Sequence, residues 1–164
     1  KMKRRYQTKL YRTKIEKIVS EVKDVCIGAD VIVGFPGETN EEFDKTLNFI
    51  KDLPLSYLHV FTYSERENTP AIDMDGVVSK SDRADRSKQL RILSNKLQRA
   101  FYEKYLDTKH TALFEQENKE GYLFGFTDNY IKIKIPFQAT ICRAKKQVKL
   151  IAIDDHGIMN AELL

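Results

Sequence analysis

Apolar residues recur at different periods along the chain, and each period predicts a different element. Leu10, Ile15, Ile18, Val19 and Val22 fall at helical spacing and predict a helix from about Thr8 to Lys23. The next stretch, "VCIGADVIVGF", carries apolar residues on both alternating faces, the pattern of a strand buried on both sides. "TNEE" sets Thr39 and Glu42 in the spacing of a capping box. Phe43, Leu47 and Ile50 line one face of the helix it opens, and Leu53-Pro54 closes it. "YLHVFTY", Tyr57 to Tyr63, is aromatic and β-branched and predicts a second strand. Strand, helix and strand in so short a span predict a βαβ crossover with parallel strands, right-handed by the general rule.

From Ser64 to Lys80 the periodicity is lost and a loop is expected. Ser79 or Ser81 opens a long helix ending near Leu106, with Leu90, Leu93, Leu97 and Phe101 as its buried stripe and many Arg and Lys opposite. After Thr108 the pattern changes to short strands and polar turns: "TALFEQ", "YLFGFT", "YIKIKIPF", "KQVKLIAID" and "GIMNAELL". "IKIKI" alternates strictly between an apolar and a basic face. Short strands at such close spacing predict a small OB-like barrel. The expected division is therefore an α/β part over 1–108 and an all-β module over 109–164.

The composition excludes several classes. At 164 residues the chain holds one ordinary domain or two small ones. Hydrophobic content of 41% and charged content of 32% suit a globular protein rather than a disordered one. No apolar run reaches the roughly 20 residues that span a bilayer, and no signal peptide is visible. Cys26 and Cys142 are far apart and make no CxxC, zinc set or disulfide framework, so reduced core thiols in a cytoplasmic protein are expected. His59, His110 and His156 lack metal-ligand spacing, and no Ser-His-Asp or Cys-His grouping stands out; no metal site is expected. Net charge is +4, with basic clusters at the start of the chain and at Arg143, Lys145, Lys146 and Lys149. Such patches attract phosphates, or are solvated faces.

"GFPGET" follows the first strand, where the carboxyl ends of parallel strands meet ligands. Gly34 and Gly37 permit unusual φ values and close approach, and Pro36 stiffens the turn. The backbone N–H groups that open the next helix are free to face a polar ligand. A ligand-contacting loop and a tight structural turn both fit. The sequence is neither GxGxxG nor a Walker loop, so no dinucleotide or nucleoside triphosphate is specified. Arg66, past the second strand, is a loop charge or a partner for a carboxylate or phosphate. His59 reads better as a packing histidine than as a catalyst.

Taken together, "MKRRY", "ADVIVGFPGETNEEF", "HVFTYSERENTPA" and "GFTDNYIKIKI" resemble the radical S-adenosylmethionine methylthiotransferases. The "HVF-YS" and "G-TDNY" variants look most like the branch acting on N6-threonylcarbamoyladenosine of transfer RNA. The resemblance implies the C-terminal part of a partial (β/α) barrel followed by an RNA-binding TRAM module. It implies S-adenosylmethionine and two 4Fe-4S clusters as cofactors, and tRNA as partner. In that family a deoxyadenosyl radical abstracts hydrogen from adenine C2, and sulfur is delivered and methylated. The chain has no CxxxCxxC motif. A fragment that holds neither cluster and is inactive alone is therefore expected, in keeping with a first residue that is Lys rather than Met.

By the same resemblance, Val31, Ile32, Val33, Gly34, Phe35, Pro36 and Gly37 match the strand and turn beside the adenine of S-adenosylmethionine. Glu38 stands one place later than the carboxylate of a GxIxGxxE motif. Val60, Phe61 and Thr62 match the next strand, whose backbone pairs with the adenine edge. Arg5, with Arg4 as alternate, and Arg66 are candidates for a carboxylate; Asn68 replaces the glycine of the family's "GTPA" turn. In the β module, Phe124, Phe126, Asn129, Tyr130, Lys132 and Lys134 are the expected RNA contacts, unless Phe124 and Phe126 are core. The rival expectation is a freestanding RNA-binding or adaptor protein. A true partial barrel would leave sheet edges and an apolar inner face exposed, whereas a freestanding protein would seal them.

Overall fold

A computed structural model of the chain describes residues 7–164, without the side chains of residues 117–119. The chain folds as two compact units, one ending at Leu97 and the other running from Gln98 to Leu164.

The first unit contains α1 (Thr8–Glu21), β1 (Gly28–Val33), α2 (Asn40–Lys51), β2 (Tyr57–Thr62) and most of α3 (Lys80–Glu103). β1 and β2 are parallel, in register from Gly28 against Tyr57 to Val33 against Thr62, with α2 as the crossover. The Thr39 side chain caps α2 by accepting the Glu42 N–H at 3.2 Å, satisfying a donor the helix leaves unpaired. The reciprocal half of the capping box does not form; the Glu42 carboxylate turns to Lys45. Ala29, Val31, Val33, Leu58 and Val60 face the helices and join a core with Ile15, Phe43, Ile50, Leu53, Leu55 and Leu90. Ser94 ties α3 to β2, bonding both the N–H and the C=O of Leu58.

Burial in this unit departs from the simple sequence pattern in three places. β1 is buried on one face only: Asp30 and Ile32 alternate outward, as do His59 and Phe61 across from them on β2, so the apolar run did not mean two-sided burial. The expected first helix is present as α1, with Ile15 its buried residue; Leu10, Ile18, Val19 and, at the C-cap, Val22 are exposed. In α3 the arginines do not all lie opposite the apolar stripe. Arg83 and Arg86 are buried, in line with Leu90, Leu93 and Leu97 at the i, i+3, i+4 spacing of one helix face.

The second unit is a closed barrel of five strands in the order β3-β4-β5-β7-β6, with β6 pairing back to β3. The strands are β3 (Lys109–Lys119), β4 (Tyr122–Thr127), β5 (Lys132–Pro136), β6 (Lys145–Ile153) and β7 (Met159–Leu163). Ala112, Phe114, Leu123, Ile133, Ile135, Val148, Leu150 and Met159 fill the interior, each at most 2% exposed. The expected small barrel is therefore present, and closure removes the sheet edges that a flat array would expose. The unit begins before the expected boundary at 108, inside α3, because the end of that helix packs with the barrel. The Tyr102 hydroxyl accepts the Lys132 N–H at 2.9 Å, and the Tyr105 ring meets His110 edge-on. Among the described residues no helix is long and apolar enough to cross a membrane.

Candidate functional site

The loop leaving β1 is organised around one carboxylate. Glu38 Oε1 accepts the Gly34 N–H at 3.1 Å and an Arg86 N–H at 2.7 Å. Arg86 also donates to the Glu38 carbonyl at 3.0 Å and to Asn40 Oδ1 at 2.8 Å, the first residue of α2. Its guanidinium lies over the Phe43 ring at 5.6 Å. This pair is withdrawn from water, with side-chain exposures of 7% for Arg86 and 18% for Glu38, where a charge-assisted bond resists screening.

One turn earlier on α3, Arg83 reaches the exit of β2. It donates to the Tyr63 carbonyl at 3.1 Å and to Glu65 at 2.6 Å, and lies over the Tyr63 ring. The hydrogen bond from Arg83 holds the Glu65 carboxyl below its ordinary range, and the reciprocal bond raises Arg83. Arg83 Nε and the Tyr63 hydroxyl are buried without a hydrogen-bond partner among the described residues.

The turn glycines serve the protein's own packing. Gly34 has φ +79°, and a Cβ there would lie 2.3 Å from Arg83 Cγ. The Gly37 N–H donates to Gly76 O at 2.7 Å, where the two backbones touch. The N–H groups of Gly34, Gly37 and Glu38 are all satisfied internally, and of the donors that open α2 the Glu42 N–H is capped by Thr39.

Among the residues matched to S-adenosylmethionine binding, Val31, Val33 and Val60 point to the helix side, and Pro36 is fully buried. Phe35 is half-buried, edge-on to Tyr63 at 5.4 Å. Ile32 and Phe61 are brought together in register on the open face, 40% and 52% exposed, and Thr62 is exposed at the strand end. Arg66 is exposed, and its carbonyl accepts the Thr69 hydroxyl. Asn68 adopts φ +61°, the left-handed conformation a glycine would take there, which Asn tolerates. Arg5 and Arg4 lie outside the described residues. Sequence reasoning missed Arg83 and Arg86; their signal was the i, i+3 continuation of the leucine stripe.

Ile32 and Phe61 are adjacent exposed apolar side chains at the ends of parallel strands, a surface of the kind on which a flat ring packs. The iron–sulfur clusters do not fit: among the described residues no three His, Cys, Asp or Glu side chains gather into a metal site. Cys26 is half-buried and burial pushes its thiol up, away from the thiolate that binds iron.

On the barrel, alternation along β4 sends Leu123, Gly125 and Thr127 inward and Tyr122, Phe124 and Phe126 outward. Phe124 and Phe126 are therefore not core. Ile133 and Ile135 point in, leaving Lys132 and Lys134 on the same outer face. Register aligns Lys145, Leu113, Phe126 and Lys132 as a row across four strands. Tyr130 stacks on Phe126 with centroids 4.9 Å apart and planes at 22°. Lys132 Nζ stands 5.4 Å from the Phe124 centroid, and Lys134 Nζ 4.8 Å from that of Tyr122. Leu113, 51% exposed, was missed because a single apolar residue does not reveal its side of a strand.

Two expected contacts behave differently. Asn129 is buried: its Oδ1 accepts from the Thr127 hydroxyl at 2.6 Å, so it builds the turn rather than the face. Lys134 is paired with Asp154. Burial pushes the Asp154 carboxyl up, but bonds from Lys134 and from the Ile158 and His156 N–H groups hold it net below its ordinary value.

No family model matches the chain. It is 36% identical over 137 residues to the threonylcarbamoyladenosine tRNA methylthiotransferase MtaB of Bacillus subtilis, covering 81% of the chain and 30% of that protein. To MtaB of Aquifex aeolicus it is 37% identical, covering 81% of the chain and 31% of the relative. To the tRNA-2-methylthio-N(6)-dimethylallyladenosine synthase of the same organism it is 37% identical, covering 77% of the chain and 28% of the relative. The chain thus spans about three tenths of the length of the relatives it matches, and by these similarities it belongs to the tRNA methylthiotransferase family.

Proposed function

We propose that the chain is part of a cytoplasmic radical S-adenosylmethionine enzyme that adds a methylthio group to C2 of N6-threonylcarbamoyladenosine 37 of tRNA. In this reading the first unit contributes two staves of a larger partial barrel, and the second is a TRAM-type module that grips tRNA. S-adenosylmethionine supplies the radical and the methyl group when bound, with two 4Fe-4S clusters held by residues outside this chain. The chain alone is then not catalytic. Its own residues bind and orient: Ile32 and Phe61 offer an apolar platform, and the loops after β1 and β2 frame it. The exposure of that platform favours a partial barrel over a freestanding adaptor, which would seal such a face.

The observation that carries the reading is the outward row Lys145–Leu113–Phe126–Lys132, with Tyr130 stacked on it, in a relative of tRNA-modifying enzymes. Cations at both ends meet phosphates while the central aromatics stack on unpaired bases, the usual way small β-barrels hold single-stranded RNA. The test is binding of this chain to an anticodon stem-loop carrying N6-threonylcarbamoyladenosine, with salt as the variable. Weak binding that falls as salt rises is expected. Binding unchanged by Phe126→Ala and Lys132→Ala together would refute the assignment of this face.

A further inference from the structure

We infer that Glu38 and Arg86 form a positioning pair that sets the shape of the ligand loop after β1, with Glu38 acting through the backbone rather than by touching the ligand. The inference rests on the proposed function for what the loop binds, but its geometry stands apart from it.

Glu38 lies four residues beyond Gly34 in a turn without regular structure, yet one carboxylate oxygen closes the turn by holding the Gly34 N–H. A lone carboxylate there would keep water and swing outward. Arg86 prevents this by binding the same oxygen, the Glu38 carbonyl and Asn40 Oδ1 together. The planar guanidinium serves these acceptors at once, which a lysine ammonium on a flexible stem does less well. α3 thereby fixes the loop to the N-terminus of α2. Three residues earlier Arg83 fixes the exit of β2 in the same way, so adjacent turns of one helix set both strand ends. Glu38 is spent on this work. Its displacement from the GxIxGxxE position is then no defect, because its partner is Gly34 in its own loop.

The consequence is a separation of effects. Loss of the pair should loosen the loop and weaken S-adenosylmethionine binding while leaving the barrel and its RNA face untouched. Three variants test this: Glu38→Gln, which keeps an acceptor for Gly34; Glu38→Ala, which does not; and Arg86→Lys. The first measurement is amide hydrogen exchange at Gly34 in this chain, with Leu123 in the barrel as internal reference. Exchange at Gly34 should accelerate at least tenfold in Glu38→Ala and less in Glu38→Gln, with Leu123 unchanged. The second is equilibrium dialysis of S-adenosylmethionine against the longer protein carrying this chain, with its clusters in place. Affinity should fall about tenfold in Glu38→Ala and Arg86→Lys, raising KM for S-adenosylmethionine with kcat within about twofold. Gly34 exchange and affinity both within twofold of the parent would overturn the inference. If Glu38→Ala does not fold, Glu38→Gln and Arg86→Lys decide by the same criteria. An unsubstituted longer protein that binds no S-adenosylmethionine would overturn the proposed function. If Gly34 still responds there, the geometry survives and its assignment to that ligand falls.

Discussion

Arg83 passes directly beneath Gly34, so close that a Cβ at Gly34 would lie 2.3 Å from Arg83 Cγ and 3.0 Å from Cδ. The glycine that looked free for a ligand is occupied by a buried arginine. Gly34→Ala should therefore destabilise the first unit in two ways: a φ of +79° strains any L side chain, and the added methyl meets the rigid near end of the arginine. A combined loss of about 2–3 kcal/mol is expected. In an Arg83→Ala background the clash disappears and about 1 kcal/mol of backbone strain should remain. Urea unfolding of the four chains of this cycle measures the coupling. Additive losses would show that the two residues do not meet.

The aromatic pair on the barrel predicts binding without a stability cost. Phe126 and Tyr130 stack on the outer face, and the Tyr130 backbone sits at φ +66° in the turn that presents it. Phe126→Ala should weaken tRNA binding by about 1–3 kcal/mol, the worth of one stacked base. The barrel should lose less than about 1 kcal/mol, since this ring lies outside the core. Fluorescence-detected RNA titration and thermal unfolding of the same samples separate the two effects. A large stability loss with unchanged affinity would make the ring structural.

Lys132 and Lys134 share a strand face but should respond oppositely to truncation. Lys132 lies over Phe124, whereas Lys134 is tied to Asp154 with only 15% of its side chain exposed. Lys132→Ala should reduce the slope of log affinity against log salt by roughly one, with stability unchanged. Lys134→Ala leaves the largely buried Asp154 carboxylate without its cation, held only by the His156 and Ile158 N–H groups, so it should lower stability and change the salt slope less. Equal slopes in the two variants would count against this division.

These contrasts mark what the sequence could and could not disclose. Strict alternation in "IKIKI" foretold which side chains of β5 enter the barrel, because a period of two fixes the face once one residue is buried. The same logic failed for β1. Val31, Ile32 and Val33 read as a two-sided run because apolar character reports what a face tolerates, not whether a neighbour covers it. Arg83 and Arg86 were illegible for another reason. A buried arginine is recognised only with its acceptors, and Glu38, Asn40, Tyr63 and Glu65 lie 18 to 48 positions away. Asn129 misled because turn residues and RNA contacts share a polar vocabulary, and only the inward bond from Thr127 tells them apart.

Acid should expose the same Asp154 that Lys134 neutralises. The folded pKa of Asp154 lies below its ordinary value near 3.9, because bonds from Lys134 and two backbone N–H groups outweigh its desolvation. A group with a depressed folded pKa stabilises the fold above its unfolded pKa, and that contribution is lost as pH falls through the folded value. The barrel should therefore hold its full Asp154 contribution down to about pH 4 and lose it below. Asp154→Asn removes the titrating group. It should lower stability at neutral pH, where Lys134 loses its partner, while making the barrel less sensitive as pH falls below about 4. Urea midpoints of the parent and variant across this range provide the test. Curves that fall in parallel, keeping a constant gap into strong acid, would show that the acid response arises elsewhere.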